Sequence, residues 1–87
     1  MASYELVFRK SVAKDLRALP KNQVKRIMQR IGSLADDPRP AGCEKLSGQE
    51  RYRVRQGVYR IIYEIEDTRL MLLVVKVGHR REVYRSS

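Results

Sequence analysis

At 87 residues the chain has room for one domain (1–87) with a thin core, burying about 60–65% of the surface it exposes unfolded, which excludes a deep enclosed active site. Its single cysteine, Cys43, excludes an internal disulfide framework and has no Cys or His at ligand spacing, so neither a metal nor a cofactor is expected. Nineteen Lys+Arg against ten Asp+Glu, a net charge of +9, point to a polyanionic partner: nucleic acid or an acidic protein.

The basic excess is spread along the chain, 10 basic and 6 acidic residues in 1–50 and 9 and 4 in 51–87, but its type changes. In the second half every basic residue but Lys76 is arginine, whose planar fork suits phosphate. The start, MASYELVF, lacks the basic flank and long apolar run of a signal peptide, and the longest apolar run, 70–75, is too short to span a bilayer. A cytoplasmic protein without a membrane partner is expected.

Residues 4–9 (YELVFR) favour a short strand. Ser11 is placed to cap a helix carrying Val12, Leu16 and Leu19 on one stripe, closed by Pro20. Val24, Ile27, Met28, Ile31 and Leu34 recur at helical spacing, which predicts a second helix with Met28 and the isoleucines in the core. Lys21, Lys25, Arg26 and Arg30 lie off that stripe, and the run Asp36-Asp37-Pro38 ends the helix. Residues 38–50 (PRPAGCEKLSGQE) read as one long irregular connection.

The stretch 51–84 then carries the function. Strand alternation puts Arg51, Arg53 and Arg55 on one face and Tyr52 and Val54 on the other. The next arm turns Arg60 away from Tyr59, Ile61 and Tyr63. The turn is Gly57-Val58, which sets Arg55 opposite Arg60 and Arg51 opposite Glu64, or Gln56-Gly57, which sets Arg53 opposite Arg60. Both registers keep the same faces. Facing like charges cost about 0.2–1 kcal/mol, which an anion seated between them offsets. Asp67-Thr68 is the next turn. Residues 70–77, apolar on both faces, suit a central strand ended by Gly78, and a polar tail follows. The order β-α-α-β-β-β predicts an α+β fold: a helical hairpin on one face of a four-stranded, mainly antiparallel curved sheet, with arginines on the other face.

The tail GHRREVYR, the hairpin RVRQGVYRIIYEI and the lead-in KLSG resemble the RelE/ParE superfamily of toxins of type II toxin-antitoxin systems, closest to the RelE branch. The resemblance implies the fold just derived and an acidic, partly disordered antitoxin that wraps the toxin and gives it access to operator DNA. It also implies ribosome-dependent cleavage of mRNA. By position, Arg53 and Arg55 match two basic residues of the second strand, and Arg60 a phosphate-binding arginine. Arg80 or Arg81 matches the basic residue of the terminal segment, and Tyr84 the C-terminal tyrosine.

Two departures stand out. The spacing from Gly78 to Tyr84 is short, and Arg55 stands where such enzymes place a lysine base, although arginine does not readily take a proton. The expected chemistry is metal-free attack of a ribose 2′-OH on its own phosphate, leaving a 2′,3′-cyclic phosphate. Arg53 and Arg55, with Arg51 beside them, and Arg60 clamp the phosphate, and Arg80 or Arg81 serves the leaving oxygen. His79, the only histidine, or Tyr84 handles a proton. The rival expectations are a ParE-like inhibitor of DNA gyrase, and a catalytically weak member acting in an antitoxin complex that regulates the operon.

Overall fold

Both apolar stripes lie on a sheet, and the sheet has one strand more than expected. The computed structural model describes residues 3–46 and 50–79. In chain order these form β1 (Glu5–Phe8), α1 (Lys10–Arg17), α2 (Lys21–Asp36), β2 (Glu44–Lys45), β3 (Arg51–Gln56), β4 (Tyr59–Glu66) and β5 (Met71–His79). The sheet order is β1-β5-β4-β3-β2, with β1 parallel to β5 and the remaining neighbours antiparallel. The added strand, β2, lies inside the connection read as irregular. It closes onto β3 through a Leu46 N–H bond to the Arg51 carbonyl, 2.8 Å, and places Glu44 opposite Arg53.

The helices cover one face. Val12 of α1 and Ile27, Ile31 and Leu34 of α2 are fully buried against Val54, Ile61, Tyr63, Leu72 and Val74 of the sheet. Met28 departs from the expected core: it stays 38% exposed, because the buried stripe of α2 runs through Ile27, Ile31 and Leu34 and leaves Met28 at its edge. The helix starts also differ. Arg9, not Ser11, is the N-cap of α1, and it makes no side-chain cap bond. Its N–H still donates to the Val74 carbonyl, 3.0 Å, so the β1–β5 ladder delivers the chain straight into the helix and Ser11 falls inside the first turn. Pro20 closes α1 and also opens α2, its carbonyl accepting the N–H groups of Gln23 and Val24 at 3.0 Å. Among the described residues no helix is long and apolar enough to cross a membrane.

The β3–β4 hairpin adopts the register with Gln56 opposite Tyr59 and Arg55 opposite Arg60, so its turn is Gly57-Val58. Gly57 has φ +62°, and Val58 does not share the positive φ, the pattern of a type II′ turn. A side chain there meets no neighbour but must enter the left-handed region. Gly57→Ala is therefore expected to lower stability by about 1 kcal/mol, read as a lower urea midpoint at unchanged slope.

β5 runs on to His79, past Gly78, which pairs with Arg60 instead of ending the strand. The ladder slips between Ile62 and Tyr63: Tyr63 pairs with Val74, Ile62 with Lys76, and Val75 is the extra residue. Both faces of β5 are apolar, and the bulge returns Val77 to the face of Leu72 and Val74. Leu72, Val74 and Val77 join the main core, whereas Leu73 and Val75 pack with Ile62 and Leu46 on the opposite face. That face is therefore not polar throughout.

The segment after α2 is pinned from below. Buried Tyr63 donates its hydroxyl to the Pro38 carbonyl, 2.6 Å, with the Cys43 Sγ 3.3 Å away, and its ring stacks on Tyr52 at 5.9 Å. Burial, reinforced by Cys43, pushes the Tyr63 hydroxyl pKa up. Arg39 lies over the Tyr52 ring and pairs with Asp67 at 3.0 Å, and the Tyr4 hydroxyl donates to Asp67 at 2.7 Å. Arg39, then Tyr4, hold the Asp67 carboxyl below its usual range.

Candidate nucleic-acid interface

The face away from the helices is organised in rows by the β2–β3–β4–β5 ladders. Because paired residues project to the same side, Arg55, Arg60 and Gly78 form one row at the hairpin end. Glu44, Arg53, Ile62 and Lys76 form the next, and Arg51, Glu64 and Leu73 the third. The strict alternation of β3 thus delivers Arg51, Arg53 and Arg55 to one surface, and the turn register sets Arg55 directly against Arg60.

The rows differ in how their charge is met. Arg51 is neutralised within its row, its Nε 2.8 Å from Glu64 Oε2. Arg53 is nearly covered, with 13% of its side chain exposed, and its Nη2 lies 2.6 Å from Glu44 Oε2. Arg55 is open to solvent, and its Nη2 lies 3.9 Å from the other carboxylate oxygen of Glu44. Arg60 is the one charged residue buried among the described residues, at 5% exposure. It lies beside Gly78, which brings no side chain to compete for that surface. Arg53, by hydrogen bond and by charge, then Arg55 and Arg60, hold the Glu44 carboxyl below its usual range. Arg53 and Arg55 thus both address the Glu44 carboxylate, and guanidinium forks of this kind suit phosphate as well as carboxylate.

His79 belongs to the other side. It pairs with Tyr59 and meets its ring edge-on, 6.1 Å between centroids, above a cleft shared with Asp15, Leu19 and Pro20. The structure therefore does not bring the His79 ring onto the arginine face. Asp15 of α1 closes the β5 edge just beyond the end of β1, its Oδ2 accepting the Val77 N–H at 3.2 Å and its Oδ1 4.0 Å from Lys76 Nζ. Arg80, Arg81 and Tyr84 lie outside the described residues. Sequence reasoning missed Glu44 and Gly78. The signal for Gly78 is a small residue in a strand beside an arginine-bearing one, but Glu44 joins the site only if a two-residue edge strand forms.

Similarity to known proteins agrees with the fold. The sequence profile described as the ParE toxin of the type II toxin-antitoxin system parDE matches residues 6–84. Toxin RelG of Mycobacterium tuberculosis is 28% identical over 86 residues, covering 94% of this chain and 97% of that one. The archaeal RelE–RelB complex of Pyrococcus horikoshii contains a chain that superposes with a TM-score of 0.80 at 30% identity, covering 90% of this chain and 96% of that one. The isolated RelE toxin of E. coli gives 0.78 at 26% identity, covering 97% and 94%. With nearly its whole length matched, the chain belongs to the ParE toxin family of type II toxin-antitoxin systems, within the RelE/ParE superfamily, and its fold is that of the RelE toxins.

Proposed function

We propose that the protein is a ribosome-dependent mRNA endoribonuclease of the RelE type, acting in the cytoplasm and held in check by an acidic antitoxin. The observation that carries this reading is the gathering of Arg53, Arg55 and Arg60 on the sheet face away from the helices, with Arg55 open to solvent. In the proposed reaction the 2′-OH attacks the adjacent phosphorus, and the phosphorane carries extra negative charge. Arg60, buried beside Gly78, and Arg55 across the ladder stabilise that charge. The 5′-oxygen leaves with a proton supplied or steadied by Arg80 or Arg81. Tyr84 is assigned the remaining proton transfer, because His79 faces Tyr59 on the other side of the sheet. The product is a 2′,3′-cyclic phosphate.

RelE proteins of this fold have been solved as complexes with RelB antitoxins, which supports the same kind of partner here. Exposed Phe8 and Met28, each 38% accessible, flank a shallow apolar groove whose rim carries Arg9 and Lys10. That pairing of apolar floor and basic rim suits an amphipathic acidic helix. Operator DNA would be reached only through the antitoxin.

Induction of the protein in cells, followed by mapping of mRNA 5′ ends, tests the reading. Cuts phased to codons within translated regions are expected. Growth arrest with DNA breaks and intact mRNA would instead assign a gyrase-directed toxin, and unchanged growth a catalytically weak member.

A further inference from the structure

The proposed phosphate site already holds an anion, and it is the protein's own. Glu44 sits on the two-residue edge strand β2, directly opposite Arg53 in the ladder. Its two oxygens address two different arginines, Arg53 at 2.6 Å and Arg55 at 3.9 Å. We propose that Glu44 is a specificity-determining residue: its carboxylate occupies the seat of the RNA phosphate, so that only a strand presented to the site by a larger body displaces it. The inference rests on the RNA-binding reading.

A carboxylate and a phosphodiester each bring one negative charge and oxygens that fit the same guanidinium fork. Glu44 is tethered, so its effective concentration at Arg53 is that of an intramolecular group, on the order of millimolar or above. A free RNA strand at micromolar concentration must compete against that. A strand already held by a larger assembly is itself tethered and competes on even terms. Displacement needs no backbone change: the Glu44 side chain is 52% exposed and swings into water from the edge of the sheet. The arginines stay behind, Arg53 with 13% of its side chain exposed and Arg60 buried. Lys45 pairs with Glu50 at 3.6 Å and the Leu46 N–H holds the Arg51 carbonyl, so β2 keeps contacts that do not involve the Glu44 carboxylate.

Glu44→Gln keeps the length of the side chain and an acceptor for Arg53 while removing the charge. Glu44→Asp keeps the charge but shortens the reach. The measurement is fluorescence anisotropy of a labelled hexauridylate with 2′-methoxy groups, which blocks cleavage, titrated with wild type, both variants and Arg60→Ala at two salt concentrations. Each protein is also assayed for cleavage of unmodified free RNA and of mRNA on ribosomes, with thermal melting to confirm folding. Glu44→Gln is expected to bind the hexamer about tenfold tighter than wild type at low salt, with a smaller advantage at high salt. It is also expected to gain cleavage of free RNA. Glu44→Asp should fall between the two.

Unchanged or weaker binding by folded Glu44→Gln, with Arg60→Ala impaired, would leave the RNA reading standing and overturn the inference, reducing Glu44 to a brace between β2 and β3. Tighter binding with loss of all cleavage would also overturn it, because the carboxylate would then be a proton acceptor. Equally poor binding by all four proteins would remove the RNA reading itself, and the inference with it.

Discussion

Arg60→Ala is expected to lower the rate of mRNA cleavage by at least about 10²-fold, roughly 2.7 kcal/mol of transition-state stabilisation. The reason is position. Arg60 is only 5% exposed, so burial restricts its side chain before any substrate arrives. A preorganised donor in a partly dehydrated setting contributes more to a developing charge than a mobile surface one. Arg55, open to solvent across the ladder, should matter less, about tenfold on removal. Because Arg60 is buried, truncation also removes packing, and Arg60→Met is the matching control. It retains most of the stem and loses only the charge and the fork. Both variants should fail in single-turnover cleavage on ribosomes while retaining the far-ultraviolet circular dichroism of the wild type. Activity of Arg60→Met within about threefold of wild type would show that the guanidinium is not used.

Tyr63→Ala is expected to destabilise the fold by about 3–5 kcal/mol, a large share of the 5–15 kcal/mol typical of a natural domain. Tyr63 is fully buried at the centre of the sheet, pairs with Val74 beside the bulge, and stacks on Tyr52. Truncation opens a cavity beneath α2 and frees the connection after it. Tyr63→Phe separates the two contributions. It keeps the ring and removes only the hydroxyl that donates to the Pro38 carbonyl at 2.6 Å, which should cost about 1–3 kcal/mol. Urea unfolding monitored by tyrosine fluorescence measures both, and equal losses for the two variants would contradict the cavity argument.

The arginine face was legible because β3 alternates without a break, and a period of two assigns faces whatever the register. The register itself stayed open between two turns, because a positive φ at Gly57 suits either, and the pairing of Gln56 with Tyr59 decides for Gly57-Val58. The bulge at Val75 was not legible, since β5 is apolar on both faces and its pattern carries no phase. That one extra residue has a consequence for the site. Without it, parity along β5 would set His79 on the arginine face; with it, His79 turns to Tyr59 and the helices. Glu44 was hidden for a different reason. It lies among Pro and Gly residues that signal an irregular connection, and its partner Arg53 is reached only when tertiary packing lays that connection along the sheet edge. Met28 was assigned to the core because helical spacing marks a stripe but not where its edge leaves the sheet.

The account turns on an arginine-lined anion site acting on RNA phosphate, and the 3′ ends of the cut message test it most directly. Ribosomes stalled on a defined mRNA are incubated with wild-type protein or Arg60→Ala, and the fragments are analysed by mass spectrometry. The account predicts a 2′,3′-cyclic phosphate at a cut within the codon being read, present with wild type and absent with Arg60→Ala. Intact mRNA with the wild-type protein, or a cut ending in a 3′-hydroxyl, would contradict it.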